Sequence, residues 1–347
     1  MRFGFTTGIC AAAAAKASAI FDHCGEIVNT VCVKNLENHE FVLKVLHENE
    51  KFFSVIKDSG DDKGDITNGI KIFARVEILD TNGEIFFENG GGVGVVTLPG
   101  LKISVGELAI NPVPREIIRR AVREIIPKSS MKITIKIPEG EKIALRTFNP
   151  RLGIIGGLSI LGTTGFVKPT NEKALLDSLT LELSMIFALG FQEIYITFAN
   201  SGEAALREIF LLDTRNVIQC GNYIGYVIDE AVRLGFKHLI ICGHPGKLLK
   251  VAAGSFNTHS KIADGRLEAL CTHLALVGAE RELIQQIFNS NTTNEAIEII
   301  EQANFNFVWD NIANIVSKKC HQRTSYKMKF DVFLINTNGE ILGKYYD

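Results

Sequence analysis

The sequence predicts an α+β domain over residues 1–146, followed by an α/β domain with a largely parallel sheet over residues 147–347. Two observations carry this. Up to about residue 146, short alternating apolar and polar runs follow one another with few helices between them, as strands do when they pair with near neighbours. From about Thr147, helical and strand-like segments alternate, the pattern of a parallel sheet. At 347 residues the chain is long enough for two such domains.

The first element is GFTTGICAAAAAKASAIF, residues 4–21, a helix on alanine propensity. Thr6, Thr7 and Gly8 stand at its start. Thr7 reads as an ordinary N-cap, or the three residues bring hydroxyls and free N–H groups to a ligand. TVCVKN and HEFVLKVLH read as strands of a hairpin or meander, and KFFSVIKD as another strand. In IKIFARVEILDTNGEIFFEN, Thr81-Asn82-Gly83 between apolar runs predicts a hairpin, because Asn and Gly tolerate positive φ. PREIIRRAVREII is an amphipathic helix with Pro114 in its first turn and Pro127 beyond its end. Arg115, Arg119 and Arg123 share one stripe of it, either a solvated face or a seat for a ligand with several carboxylates. MKITIKIP closes the domain as a strand.

In the second domain, ALLDSLTLELSMIFALG is a helix closed by Gly190, and EIYITF a buried strand. YIGYVIDEAVRLG is a helix closed by Gly235, and HLIICG again a strand. VWDNIANIVSKKC is a late helix, and MKFDVFLINTNGEILGKYY a closing hairpin around Asn338-Gly339.

Composition excludes several classes. The chain is 46% hydrophobic and 22% charged with a net charge of −2, so no general footprint for nucleic acid or an anionic membrane is present. Seven cysteines, none in C-x-x-C, predict free thiols rather than a disulfide framework or a zinc site, and no metal site is expected. Lys16 interrupts the alanine run, so a signal-peptide core is missing. No apolar run approaches the roughly 18–20 residues of a membrane span, and the cytoplasm is the expected location.

Four stretches could carry chemistry. KDSGDDKGDITNG places Asp58, Asp61, Asp62 and Asp65 after a strand. It fails as an EF-hand, since Gly69 stands where the last ligand must be acidic. It is either a solvated turn or a loop whose carboxylates hold ribose hydroxyls or a cation, or act as a base. ENGGGVGVVTLPGL offers close backbone approach at Gly92 and Gly94 but is no dinucleotide fingerprint, because Thr97 occupies the third glycine position. GHPGKLL, 243–249, stands where a parallel strand meets a helix, the usual ligand position of an open α/β sheet. A P-loop is excluded by the short Gly243-to-Gly246 spacing, leaving His244, Lys247 and backbone N–H groups as an anion site. ANSGEAAL and QCGNYIG are similar turns, and three of them on one sheet edge would form a crevice. FNTHSKIADGR adds Asn257, His259, Ser260 and Lys261; a lone His is more often packed than catalytic.

Taken in order, GFTTGICAAAAAKA, KDSGDD…DITNG, GVGVVTLPGL, VGELAINPVPR, TFNPRLGIIGGLSILGTTG, GNYIGYVIDEAVRLGF, GHPGKLLKVAAG and FNTHSKIADGR resemble the CbiD family over nearly the whole chain. That family comprises the cobalt-precorrin-5B C(1)-methyltransferases of anaerobic cobalamin synthesis. The resemblance implies S-adenosylmethionine as methyl donor and a corrinoid substrate, with cobalt present only as part of that substrate. The family's G-G-E-G-V-G reads Asn89 to Gly94 here, with glycine at the acidic position, and its G-T-C-A reads Gly8-Ile9-Cys10-Ala11. No standard Rossmann donor motif is present, so the carboxylates of 58–65 or the glycine turns of the second domain are the candidates to hold the donor. On the chemistry of such a transfer, the expected catalytic residues are Asp61, Asp62 and His259. Asp58, Asp61, Asp65, Asn68, Gly92, Gly94 and Thr97 are expected at the donor. Thr6, Thr7, Gly8, Asn111, Arg115, Gly243, His244, Lys247, Asn257 and Ser260 are expected at the substrate, whose acetate and propionate arms favour Arg and Lys. A non-catalytic tetrapyrrole carrier is the alternative. A small-molecule corrinoid is the expected partner, with no nucleic acid or membrane, and homo-oligomer formation stays open.

Overall fold

A computed structural model describes residues 2–49, 51–79, 83–167, 172–210 and 214–347. The chain forms two compact units, Met1–Glu172 and Lys173–Asp347. The division falls later than the expected 146/147, and strand pairing explains why. Ile154–Ile155 pairs with Val95–Val96, Gly157–Leu158 with Gly92–Val93, and Phe166–Val167 with Gly4–Phe5. The segment after residue 147 is thereby woven into the first unit.

That unit is built around α1 (Thr7–Cys24), whose Ala11 to Ala15, Ala17 and Ala19 are wholly buried. It packs against α2 (Pro112–Arg123), against the hairpin β1 (Thr30–Lys34) and β2 (Glu40–Lys44), and against a five-stranded sheet. A helix enclosed from so many sides needs small side chains all round, which is the reason for the alanine block. Gly25, at φ 71, closes it by donating its N–H to the Phe21 carbonyl.

The sheet runs β3 (Leu46–Asn49), β4 (Phe52–Ile56), β5 (Lys71–Leu79), then β7 (Ser130–Lys136), with β6 (Ile85–Asn89) at the edge. The hairpin expected between β5 and β6 does not form: β7 lies between them, antiparallel to β5 and parallel to β6. Thr81 and Asn82 lie outside the described residues. Burial explains the insertion. Met131, Ile133 and Ile135 of β7 are fully buried, whereas β6 carries the exposed Phe86 and Glu88 and suits an edge.

The second unit has the strand order β9 (Val217–Gln219), β8 (Glu193–Thr197), β10 (His238–Gly243), β11 (Lys329–Ile335), β12 (Ile341–Tyr345). The first four are parallel and β12 returns antiparallel, as the sequence predicts. Helix α3 (Glu172–Ala188), α5 (Ile224–Leu234), α6 (Pro245–Ala252) and α7 (Val308–Thr324) supply the core on one sheet face, around the buried Trp309. Helix α4 (Asn200–Phe210) packs Ala205 and Leu206 with Tyr195 and Phe333 in a second cluster. Both faces being covered, the strands read as continuous apolar runs.

The seven cysteines are free. Among the described residues no helix is long and apolar enough to cross a membrane.

Candidate functional site

The chain leaves β8 to form α4, crosses to β9 on one side, then passes back over β8 through α5 to β10 on the other. The strand order therefore reverses between β8 and β10. Loops diverge at such a point and leave an opening above the carboxyl ends of the strands. A cavity of about 510 Å³ lies there. Phe198 and Ala199 follow β8 on its wall, Asn222 follows β9, and Gly243 ends β10. The three expected loop-to-helix turns thus converge on one cavity. Gly243 is needed because a Cβ on it would stand 2.6 Å from the Phe198 ring.

His244 is the N-cap of α6, at φ −69 and ψ 143. Its Nδ1 accepts the Gly246 N–H at 3.1 Å, so the ring proton sits on Nε2, which donates to Asn294 Oδ1 at 2.8 Å. Burial holds its pKa below 6.5, keeping the ring neutral and the cap intact. The Lys247 N–H is taken by the His244 carbonyl. The free N–H groups expected at this helix start are therefore already satisfied by His244, and the charge of the cavity comes from side chains instead.

Lys247 and Lys250 project from one face of α6 to the cavity wall. Lys247 Nζ donates to Asn222 Oδ1 at 2.6 Å, and Lys250 Nζ to the Thr258 carbonyl at 3.2 Å. Thr258 is itself held by Asn222, through its N–H to the Asn222 carbonyl at 3.0 Å and its hydroxyl to Oδ1 at 3.3 Å. Lys250 is only 4% exposed. Burial, with Lys250 and Arg266 nearby, pulls the Lys247 pKa below 10.5. Arg266 also lines the cavity but is neutralised by a fork to Asp264 at 2.7 and 3.1 Å. Among the described residues that line the cavity, none is a carboxylate.

His259 and Ser260 border the same cavity; Asn257 does not, and serves by accepting the His259 N–H on Oδ1 at 3.1 Å. His259 Nδ1 accepts the Lys261 N–H, which places its proton on Nε2. Asn222, Lys250, Thr258 and Arg266 escaped the sequence reading. Lys250 follows Lys247 by three residues on a helix, a signal that was present.

The first unit uses its expected site residues differently. Thr6, not Thr7, caps α1, accepting the Ile9 N–H at 3.4 Å, while the Gly8 N–H goes to the Leu161 carbonyl at 3.0 Å. Thr7 Oγ1 accepts the Leu161 N–H at 2.8 Å. No free N–H of Gly8 or Ile9 remains for a ligand. Arg115 donates to the carbonyls of Ile110 and Leu108 and pairs with Glu107 at 2.9 Å. Arg123 is likewise spent on carbonyls, and the Arg119 guanidinium lies over the Phe87 ring, so two of the three arginines of the stripe are held by backbone carbonyls. Asn111 holds the N-cap position of α2 without a side-chain capping bond.

In the acidic loop, Asp58 pairs with Arg2 and accepts the Gly60 N–H, Asp61 accepts the Arg2 N–H at 2.6 Å, and Asn68 accepts the Ser59 N–H at 2.9 Å. The Gly60 N–H first, then Arg2, lower the Asp58 pKa. Asp65 pairs with the buried Lys57. Asp62 accepts only the Gly64 N–H, at 3.0 Å. At the glycine cluster, what approaches Gly92 is the backbone of Ile137 and Gly140, and what approaches Gly94 is the Ile154 side chain and the Gly157 backbone. Thr97 donates its hydroxyl to the Gly153 carbonyl at 2.7 Å. Among the described residues no cluster of His, Cys, Asp and Glu is arranged to hold a metal ion.

Residues 1–169 match the CbiD family model and residues 257–346 match that of the CbiD C-terminal domain. A cobalt-precorrin-5B C(1)-methyltransferase of Thermoanaerobacter sp. (strain X514) is 43% identical, covering 99% of this chain and 95% of that one. The protein of the same name from Photorhabdus laumondii is 41% identical over 99% of this chain and 92% of its own. A solved cobalamin biosynthesis protein (cbiD) from Archaeoglobus fulgidus is 34% identical, with a TM-score of 0.41 over 77% of this chain and 84% of that one.

Proposed function

The chain belongs to the CbiD family, and from that premise we propose that it transfers a methyl group from S-adenosylmethionine to ring carbon C-1 of cobalt-precorrin-5B, giving cobalt-precorrin-6A. The observation that carries this reading is 43% identity to a methyltransferase of that name over 99% of the chain. The donor would supply a methyl group on a sulfonium; the ring carbon would bond to that methyl carbon in line as the carbon–sulfur bond breaks and S-adenosylhomocysteine leaves as a neutral thioether. The protein's part in such a step is alignment and exclusion of water.

The cavity of the second unit does not suit that donor. Sulfonium and ammonium are both cationic, and the wall offers two lysines and an arginine with no carboxylate. The charge of Asp61 and Asp62 in the first unit suits it better. Unchanged S-adenosylmethionine affinity in an Asp61→Asn, Asp62→Asn variant, read by calorimetry, would remove that assignment.

Incubated anaerobically with cobalt-precorrin-5B and methyl-labelled S-adenosylmethionine, the purified protein is expected to place label on C-1. Recovery of unlabelled ring, with the corrinoid retained by the protein, would replace the methyltransferase reading with that of a carrier.

A further inference from the structure

We propose that the cavity at the ends of β8 and β10 seats one carboxylate arm of the corrinoid, between Lys247 and Lys250. The identity of the ligand rests on the function proposed above; the preference for a carboxylate rests on the cavity itself.

Lys250 carries the argument. Its amine has three donors and is 4% exposed, yet its one acceptor is the neutral carbonyl of Thr258. Buried charges are ordinarily paired, because an unpaired one keeps its full desolvation cost. Among the described residues no carboxylate lies within ion-pair distance of Lys250 or Lys247; the charge of Asp264 reaches Lys250, but its oxygens are forked to Arg266. Lys247 has a similar need: its contact is the neutral oxygen of Asn222. Asn222 and Thr258 fix both amines against the same wall, so the two ammonium groups are positioned before any ligand arrives. A carboxylate supplies what both lack, two anionic oxygens for charge-assisted hydrogen bonds.

Charge also selects between the two ligands of the reaction. The methyl donor carries two cationic groups against one carboxylate and is repelled as a whole. The corrinoid carries several carboxylates and no cationic arm. A whole macrocycle with its substituents exceeds a 510 Å³ cavity, whereas one acetate or propionate arm enters it with room for ordered water. The ring then rests at the mouth, where His259 and Ser260 stand.

The test measures affinity of the full-length protein for three probes: cobyrinic acid, its heptamethyl ester, and S-adenosylhomocysteine. The parent protein is expected to bind the acid at least tenfold more tightly than the ester. Lys250→Met and Lys247→Gln are each expected to lose about tenfold to a hundredfold in affinity for the acid, the range of one charge-assisted contact. Neither should change affinity for the ester or for S-adenosylhomocysteine more than about twofold. Inorganic phosphate is the control for a general anion site, expected to displace the acid only weakly. Equal binding of acid and ester by the parent, or unchanged affinity for the acid in both variants, would overturn the proposal. So would loss of S-adenosylhomocysteine binding alone, which would make the cavity the donor's. If Lys250→Met does not fold, Lys247→Gln decides. Absence of labelled transfer by the parent would end the methyltransferase reading while leaving these affinities as measured.

Discussion

Lys57→Ala is expected to destabilise the first unit by about 3–5 kcal/mol, the cost of breaking a buried ion pair from one side. Lys57 is 2% exposed, and its amine donates to Ser59 Oγ at 2.6 Å and to Asp65. Asp65 also accepts the hydroxyls of Ser59 and Thr67. Burial by itself would raise the Asp65 carboxyl, but the bonds from Lys57, Thr67 and Ser59 outweigh it and hold the pKa down to about 2. Without Lys57, the carboxylate keeps its desolvation cost and loses its main partner. The damage spreads, because this loop anchors the N-terminus: the Phe5 N–H bonds to the Asp58 carbonyl at 2.7 Å and the Asp61 N–H to the Arg2 carbonyl at 3.0 Å.

Urea unfolding at pH 7 measures the loss. Replacing both partners, as Lys57→Met with Asp65→Leu, should cost much less than either single change, because no charge is left stranded. The pH dependence has a definite sign. A carboxyl whose folded pKa lies below its unfolded value of about 3.9 adds stability above that value, and the gain disappears as pH falls through about 2. The acid limb of the parent should therefore steepen between about pH 4 and 2 and flatten in the double variant. A single-variant cost below about 1 kcal/mol would show that the loop is held by other contacts.

Gly92→Ala is expected to cost roughly 2–5 kcal/mol, from two sources that add. Gly92 sits at φ 76, where a Cβ carries a penalty of about 1–2 kcal/mol. That Cβ would also stand 1.8 Å from the Ile137 carbonyl oxygen, and overpacking against backbone costs about 1–3 kcal/mol more. Gly140 and Gly157 close in from the other side, at 2.0 and 2.2 Å from the Gly92 oxygen for a Cβ on either. The neighbouring Gly91, at φ 108 with nothing within 4 Å, is the internal control. Gly91→Ala meets only the backbone penalty, so its thermal or urea midpoint should fall by much less. Equal losses at the two positions would mean that conformation, not close approach, makes Gly92 necessary.

Much of the candidate site was legible in sequence because its signals are local. The strand-to-helix turns at Phe198, Asn222 and Gly243 follow apolar runs directly, and the rule that ligands sit at the reversal of strand order places them together. Lys247 and His259 do border the resulting cavity. What sequence could not supply was the state of the polar groups. His244 looked free to serve a ligand, but its ring is held by Gly246 on one nitrogen and by Asn294, fifty residues away, on the other. Arg115 looked like an anion site and is consumed by Ile110, Leu108 and Glu107. Thr7 looked like a cap and instead grips Leu161, 154 residues on.

By itself the sequence determined the class of both units, the helix ends at Gly190 and Gly235, the parallel sheet, and the convergence of three loops on one edge. Each of these follows from periodicity, capping or propensity, which act over a few residues. Only the tertiary structure decided that β7 would enter between β5 and β6, that Lys57 would meet Asp65 in the interior, and that three glycine backbones would cross at Gly92. It also decided that Lys250 would be buried beside Lys247 with no ion pair of its own among the described residues. These outcomes depend on which distant surfaces exclude water from one another, and spacing along the chain carries no record of that. The alanine block shows both levels at once: helix propensity is in the residues, whereas the need for small side chains comes from the helix, hairpin and sheet that enclose it.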